Sequence, residues 1–211
     1  MRVDDKTEEL LGLVVHSYNN FLSGAIGFTE LAKLEIENAE IAEKLDLSIQ
    51  SGREAVDFGN QLLCAVGRLQ VSLEPIELVS VVADWATKQK FNIPADKLES
   101  PAMVNSNSTW LTRCFDIVIE FCLAYSPESE IEFKMETANG DKAVIHIRPS
   151  LIQFETEQIT RLFEPFYSSR RLLGTKDVGL AVAGGFSQQM QGQLSWSNEN
   201  GFRFEMPLCQ K

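Results

Sequence analysis

The chain contains two histidines, His16 and His146, and the residues around the first could do chemistry. On a helix turning about 100° per residue, His16, Asn20, Ser23 and Gly27 share one stripe. Leu10, Val14, Tyr18, Phe21, Ala25, Phe28 and Ala32 fall on a broad opposite face, which is the expected core. The stripe carries an imidazole, an amide one turn on, and then small uncharged residues. It lacks the Glu and Lys pairs that normally coat an exposed helix. Imidazole is a nucleophile near neutral pH, so an exposed ring can take a phosphoryl group on one nitrogen. Small residues beside it would let another protein approach the backbone. The alternative is a tolerant surface with a chance histidine. His146 falls in a predicted strand and is expected to be structural.

Residues 1–69 contain no proline, and apolar residues recur at helical spacing. The pattern predicts two long helices broken near Glu37–Glu40. Asp5-Lys6-Thr7-Glu8 can serve as a capping box for the first, and Asn38 as a cap for the second. A short connection makes the pair an antiparallel hairpin. Two helices cannot enclose a core alone, so pairing with a second copy as a dimeric four-helix bundle is expected. The character changes at Ser72–Pro75. Ile76–Lys90, Thr109–Tyr125 and Val178–Met190 look helical. Ile131–Thr137 and Ala143–Arg148 alternate around Asn139-Gly140-Asp141, a hairpin signal. Gln193–Ser197 and Phe202–Pro207 flank Asn198-Glu199-Asn200-Gly201, a second one. The fold class is therefore α+β: a helical hairpin, then an α/β sandwich whose mainly antiparallel sheet has helices on one face.

Composition narrows the function. Nineteen Lys and Arg against 30 Asp and Glu give a net charge of −11. Such a surface repels phosphate backbones and anionic membranes, so nucleic-acid binding is not expected. Leu10–Thr29 is uncharged and long enough for a bilayer, but His16, Ser17, Asn19, Asn20 and Ser23 make it too polar for a membrane span. Cys64, Cys114, Cys122 and Cys209 have no metal-ligand spacing. They are expected to be buried thiols of a reducing compartment, with no metal site. The N-terminus lacks the pattern of a signal peptide, and a cytoplasmic protein is expected.

Val15-His16-Ser17-Tyr18-Asn19-Asn20-Phe21-Leu22, continuing Gly24-Ala25-Ile26-Gly27-Phe28-Thr29-Glu30-Leu31-Ala32, resembles the phosphoacceptor box of bacterial sensor histidine kinases. Gln61-Leu62-Leu63 resembles the end of that family's second dimerisation helix. Val71 to Leu78 resembles its linker to the ATP-binding domain. Leu162-Phe163-Glu164-Pro165-Phe166-Tyr167-Ser168-Ser169 is similar to the F-E-P-F-F-T-T box, and Val178-Gly179-Leu180-Ala181-Val182 to the end of the second glycine box. Gly192 through Pro207 resembles the closing hairpin. The resemblance implies a dimerisation and histidine phosphotransfer hairpin at 1–71 and an ATPase-like domain at 72–211.

The departures bear on activity. The family holds ATP and Mg²⁺ with an Asn-rich helix and a D-x-G-x-G loop, and this sequence contains no D-x-G-x-G. By the resemblance, Pro149 stands at the Asp that reads adenine, and Leu151 and Gln153 replace the two glycines. Glu120 stands at the metal-binding Asn, a change that leaves metal binding open. Asp177 replaces the first glycine of the second box, two residues before Gly179, and puts a charge where phosphates would lie. ATP is therefore not expected as a cofactor. Ser17 replaces the acidic residue that serves as the base for autophosphorylation, whereas Asn20 matches the polar residue that positions water for dephosphorylating the partner. The expected function is a histidine phosphotransferase. His16 exchanges a phosphoryl group with response-regulator receivers, which supply Mg²⁺ and dock along Ser17, Ser23, Gly24 and Gly27. The alternatives are a response-regulator phosphatase, a sequestering or regulatory pseudokinase, and an ATP-dependent histidine kinase.

Overall fold

The computed structural model describes residues 5–91, 93, 102–138, 140–168, 173 and 178–209, with the side chains of residues 5–9 left aside. The Asp5–Glu8 capping box, Asn139 and Asp177 lie outside that description. The chain divides into two compact units, Met1–Leu69 and Gln70–Lys211.

The first unit is the expected hairpin of α1 (Asp5–Leu34) and α2 (Ala39–Ala65). The break is set by Asn38, whose side-chain oxygen accepts hydrogen bonds from the Glu40 and Ile41 amides at 3.0 and 3.2 Å. An amide-bearing side chain there satisfies donors that have no partner within the new helix. Two glycines one heptad apart, Gly52 and Gly59, let the helices meet closely. A Cβ on Gly52 would lie 2.7 Å from Ile26 Cγ1, and one on Gly59 would lie 2.9 Å from Asn19 Oδ1 and 3.1 Å from Val15 Cγ1. Val15 and Ile49 are buried in this seam. Arg53–Glu30 and Lys33–Asp46 ion pairs flank it at 2.7 and 2.5 Å.

Within the single chain, the seam uses a narrower face of α1 than the one expected as the core of the bundle. Val15, Asn19 and Ile26 face α2, whereas Leu10, Val14, Tyr18, Phe21 and Phe28 remain exposed, the two phenylalanines at 77% each. The periodicity identified the wider apolar face. The narrower one closes the hairpin because α2 presents glycines to it.

The second unit is built on an antiparallel sheet in the order β3 (Ile131–Ala138), β4 (Lys142–Pro149), β6 (Gly201–Pro207), β5 (Gln193–Ser197). One face is apolar. Phe133, Met135, Ile145, Ile147, Phe202, Phe204 and Met206 are buried there with α4 (Ser108–Tyr125) and α6 (Ala181–Gln189). Phe115 of α4 sits near the centre, its ring 5.3–5.9 Å from those of Trp85, Phe133 and Phe204. The other face is polar. Glu136 accepts hydrogen bonds from Lys134 and from His146, the latter at 3.2 Å. The Lys134 ammonium, with help from His146, holds the Glu136 carboxyl below its usual range against a smaller opposing effect of burial.

Several boundaries differ from the sequence pattern. β1 (Glu74–Glu77) and β2 (Met103–Ser106) form a separate antiparallel ribbon that the pattern does not reveal. Ile76 belongs to that ribbon, so α3 covers only Leu78–Lys88. Glu77 caps it, accepting from the Val79 and Ser80 amides at 3.1 and 2.7 Å and from the Ala102 amide at 3.2 Å. The short α5 (Thr156–Arg161) was likewise not expected, and α6 begins three residues later than its apolar run. Cys64, Cys114 and Cys122 are buried free thiols, while Cys209 is half-buried. Burial pushes the Cys122 thiol up to about 12, which keeps it protonated and unreactive at neutral pH. Among the described residues no helix is long and apolar enough to cross a membrane. Nor does any group of three or more His, Cys, Asp or Glu among them form a metal cluster.

The hairpin seam yields a paired prediction. Gly59→Val overpacks the contact with Val15 and Asn19 and should cost about 1–3 kcal/mol. Gly12→Ala, with nothing within 4 Å of the new Cβ, should instead gain about 0.5–1 kcal/mol from helix propensity. Native-state hydrogen exchange of α1 and α2 amides in the full chain measures both. Unchanged protection in Gly59→Val would show that the helices do not meet there.

Candidate functional site

His16 stands exposed on α1, on the flank of the helix away from Leu10, Phe21 and Phe28. Its Nε2 lies 3.4 Å from Asn20 Nδ2. The tautomer with Nδ1 protonated would let Nε2 accept from the Asn20 amide in this long contact. Asn20 is one helical turn from His16 because residues four apart stack on one face.

The expected docking residues share this side of α1. Ser17, Ser23 and Gly24 are exposed, and Gly27 is half-buried. Ser23, Gly24 and Gly27 line a shallow groove of about 550 Å³ with Phe28, Glu30, Leu31 and Leu34. A Cβ built on Gly24 or Gly27 meets nothing within 4 Å. Packing within the chain therefore does not require glycine at either position.

The residues assigned by resemblance to a nucleotide site lie in the second unit. Glu120 is exposed on α4, 3.7 Å from the Arg113 guanidinium. Pro149 is the buried last residue of β4, opposite Ile131. Leu151 is 59% exposed, and its amide donates to Ser129 Oγ at 3.1 Å. Gln153 is exposed, its side chain donating to the Asn198 carbonyl at 3.4 Å. Gly179, at φ +71°, turns the chain into α6. The next amide, that of Leu180, donates to the buried Ser168 hydroxyl at 2.8 Å. Phe166, also left-handed at φ +65°, donates to the Val178 carbonyl at 3.2 Å. The F-E-P-F segment and the glycine turn are thus tied to each other by their own backbone.

Aromatic rings join these elements. Phe154, one residue after Gln153, lies 5.0 Å from Trp196, 5.1 Å from Tyr125 and 6.1 Å from Phe121. Trp196 packs 4.6 Å from Phe202, and Phe163 lies 6.3 Å from Phe202. Edge-to-face contacts at such separations are favourable beyond the area they bury. Asn198 organises the cluster. Its side-chain oxygen accepts from the Phe154 amide and Trp196 Nε1, both at 3.0 Å, and its side-chain nitrogen donates to the Phe154 carbonyl at 2.8 Å. Sequence reasoning read Asn198 only as a turn residue. Its partners on the segment after β4 are distant in the chain. The Asn19–Asn60 contact across the hairpin, 3.2 Å from Nδ2 to Oδ1, was missed for the same reason.

Residues 106–210 match the family model described as histidine kinase-, DNA gyrase B-, and HSP90-like ATPase. Full-length ShkA, solved in complex with AMPPNP, is similar in fold with a TM-score of 0.69 and 17% identity. The match covers 96% of this chain and 46% of ShkA, so the chain spans under half the length of that protein. The Acinetobacter baumannii histidine kinase AdeS aligns at 15% identity and TM-score 0.55, over 90% of this chain and 96% of its own. The mycobacterial sensor histidine kinase MprB aligns at 16% identity and TM-score 0.51, over 67% of this chain and all of its own. At these identities the structural likeness is one of fold.

Asn198→Ala should destabilise the second unit by about 1–3 kcal/mol, because the Phe154 and Trp196 donors lose their acceptor. Asn198→Asp keeps the acceptor and should lose less. Thermal unfolding of the full chain, followed by near-UV circular dichroism, distinguishes the two. Equal melting of Asn198→Ala and the parent would mean that the aromatic cluster holds without the amide.

Proposed function

Residues 106–210 form an ATPase domain of the histidine kinase-, DNA gyrase B-, and HSP90-like type, and from this premise we propose that the chain is a histidine phosphotransferase. His16 takes a phosphoryl group from the phospho-aspartate of one response-regulator receiver and gives it to the aspartate of another, without ATP. One observation carries the reading: an exposed imidazole, its Nε2 3.4 Å from Asn20 Nδ2, stands on the side of α1 that carries a largely apolar groove.

The transfer balances without a further reactant. The Nε2 lone pair attacks phosphorus, the bond from phosphorus to the aspartyl oxygen breaks, and the receiver's carboxylate leaves with the electron pair. The ring proton remains on Nδ1. In the second step a carboxylate of the next receiver attacks, and the P–N bond breaks back onto Nε2. The receivers bring the Mg²⁺ that offsets phosphoryl charge. This chain supplies an in-line nucleophile and a surface that orients the partner, and positioning accounts for most of such catalysis.

The ATPase-type domain does not fit the nucleotide that its family implies. Pro149 has no carboxylate with which to read an adenine amino group. Leu151 and Gln153 carry side chains where glycines would admit the ligand. The Leu180 amide at the start of α6, a position suited to anions, is already satisfied by Ser168. Ser17 cannot act as a carboxylate base toward ATP. The domain is left as a scaffold or as a second contact for the receiver. The exposed apolar face of α1, with Leu47 and Phe58 of α2, supports burial against a second copy in a homodimer through residues 1–71.

Asn20 also favours a second reading, a phosphatase of one response regulator, because an amide beside the histidine can orient an attacking water. A single assay separates the two. Incubated with a phosphorylated receiver, the protein should acquire label, and His16→Ala should acquire none. Gly27→Arg should slow labelling roughly tenfold by obstructing the groove. Free phosphate without labelled protein would replace the transferase by the phosphatase, and labelling by ATP alone would overturn the ATP-free reading.

A further inference from the structure

The seam of the hairpin holds a polar pair that stability does not explain. Asn19 is half-buried, and its Nδ2 donates to Asn60 Oδ1 at 3.2 Å. Its own Oδ1 is buried without a hydrogen-bond partner, and lies above Gly59. Turning both amides end for end exchanges donor and acceptor but still leaves one atom of Asn19 orphaned. A buried amide satisfied on one side only is worse for stability than an apolar side chain of the same shape.

The surroundings give the pair a different use. Opposite Val15, Asn19 and Ile26, α2 presents Gly52 and Gly59, which have no side chains to act as stops. Apolar contact is non-directional, so Val15 and Ile26 would rest on such a surface in more than one axial setting. The flanking Arg53–Glu30 and Lys33–Asp46 pairs are solvent-exposed, and such pairs contribute little. A hydrogen bond within the seam fails when either helix slides or turns, so it selects one setting. Single polar residues at coiled-coil core positions act this way, fixing register at a cost in stability.

We infer that the Asn19–Asn60 pair is a register lock that sets the rotation of α1 and thereby keeps the His16 ring on the outer flank of the hairpin. Asn19 is a positioning residue and His16 the group it positions. They are three residues apart on one rigid helix, so a slip of one residue, about 100° of turn, carries both round together. The consequence for phosphoryl transfer rests on the proposed function, whereas the register itself does not.

Spin labels at Leu13→Cys and Asp57→Cys, in a Cys209→Ser chain diluted with unlabelled protein, report the setting of α1 against α2. The parent should give one narrow distance distribution. In the Asn19→Leu/Asn60→Leu variant the distribution should broaden or split, while the melting temperature holds or rises. Labelling of His16 from a phosphorylated receiver should slow about ten- to hundredfold. Asn60→Asp, which keeps an acceptor for Asn19 Nδ2, should restore both the single distance and the rate. Asn60→Ala provides the same reading if the double variant does not fold. A single, unchanged distance in the apolar variant, or a clearly lower melting temperature with it, overturns the lock. If the parent accepts no phosphoryl group, the phosphotransferase reading falls and the distances alone decide the lock.

Discussion

The close approach of α1 to α2 at Gly52 and Gly59 governs everything the hairpin can present. A side chain at either glycine would collide with Ile26, or with Val15 and Asn19. With these positions bare, the narrow row of α1 is used up in the seam. That single choice fixes the other two faces. The row from Leu10 to Phe28 is left apolar and exposed, and the stripe with His16, Asn20 and Ser23 is left polar and exposed. One helix thus separates three tasks by angle: closing on its neighbour, offering an apolar face, and displaying an imidazole.

The second unit answers a different constraint. The elements that resemble a nucleotide site still occur in family order, but the contacts among them are internal. Phe154 fastens the segment after β4 to Tyr125 of α4 and to Trp196 of β5. Ser168 satisfies the Leu180 amide at the start of α6. A network of this kind rigidifies the domain once its polar groups are paired. The domain keeps a well-packed sheet and helices, with these segments bonded to one another.

The sequence revealed most where local signals acted alone. Asn38 announced the helix break, and the alternation in β3–β4 and β5–β6 announced both hairpins, because capping and pleat leave their marks within a few residues. The position of His16 opposite a broad apolar face was equally legible from helical periodicity. What the pattern could not supply were partners remote in the chain. β1 pairs with β2, Glu77 reaches Ala102, and Asn198 reaches Phe154, all across intervening helices or strands. The seam within the hairpin was not foreseen for a related reason. Periodicity ranks faces by hydrophobicity, whereas two helices meet where one of them is smooth.

If His16 is charged by a receiver, as proposed, a kinase-like fold can remain useful without nucleotide. Making a phosphohistidine from ATP requires a base beside the histidine, a nucleotide pocket and a metal site, all on one chain. The proposed passage of a phosphoryl group between two aspartates would require none of these on this chain, because donor and acceptor would bring their own activated carboxyl chemistry. On the proposed reading, what remains for this protein is geometric: an exposed imidazole at a fixed angle, on the side of the helix whose small residues a partner can settle on. Orientation of reactants lowers barriers by an entropic route that needs no charged groups. That fits a stripe from Leu10 to Thr29 without one ionised side chain in a protein of net charge −11. On this view the rigidity of the hairpin seam, rather than the chemistry of any additional residue, sets how well His16 can work.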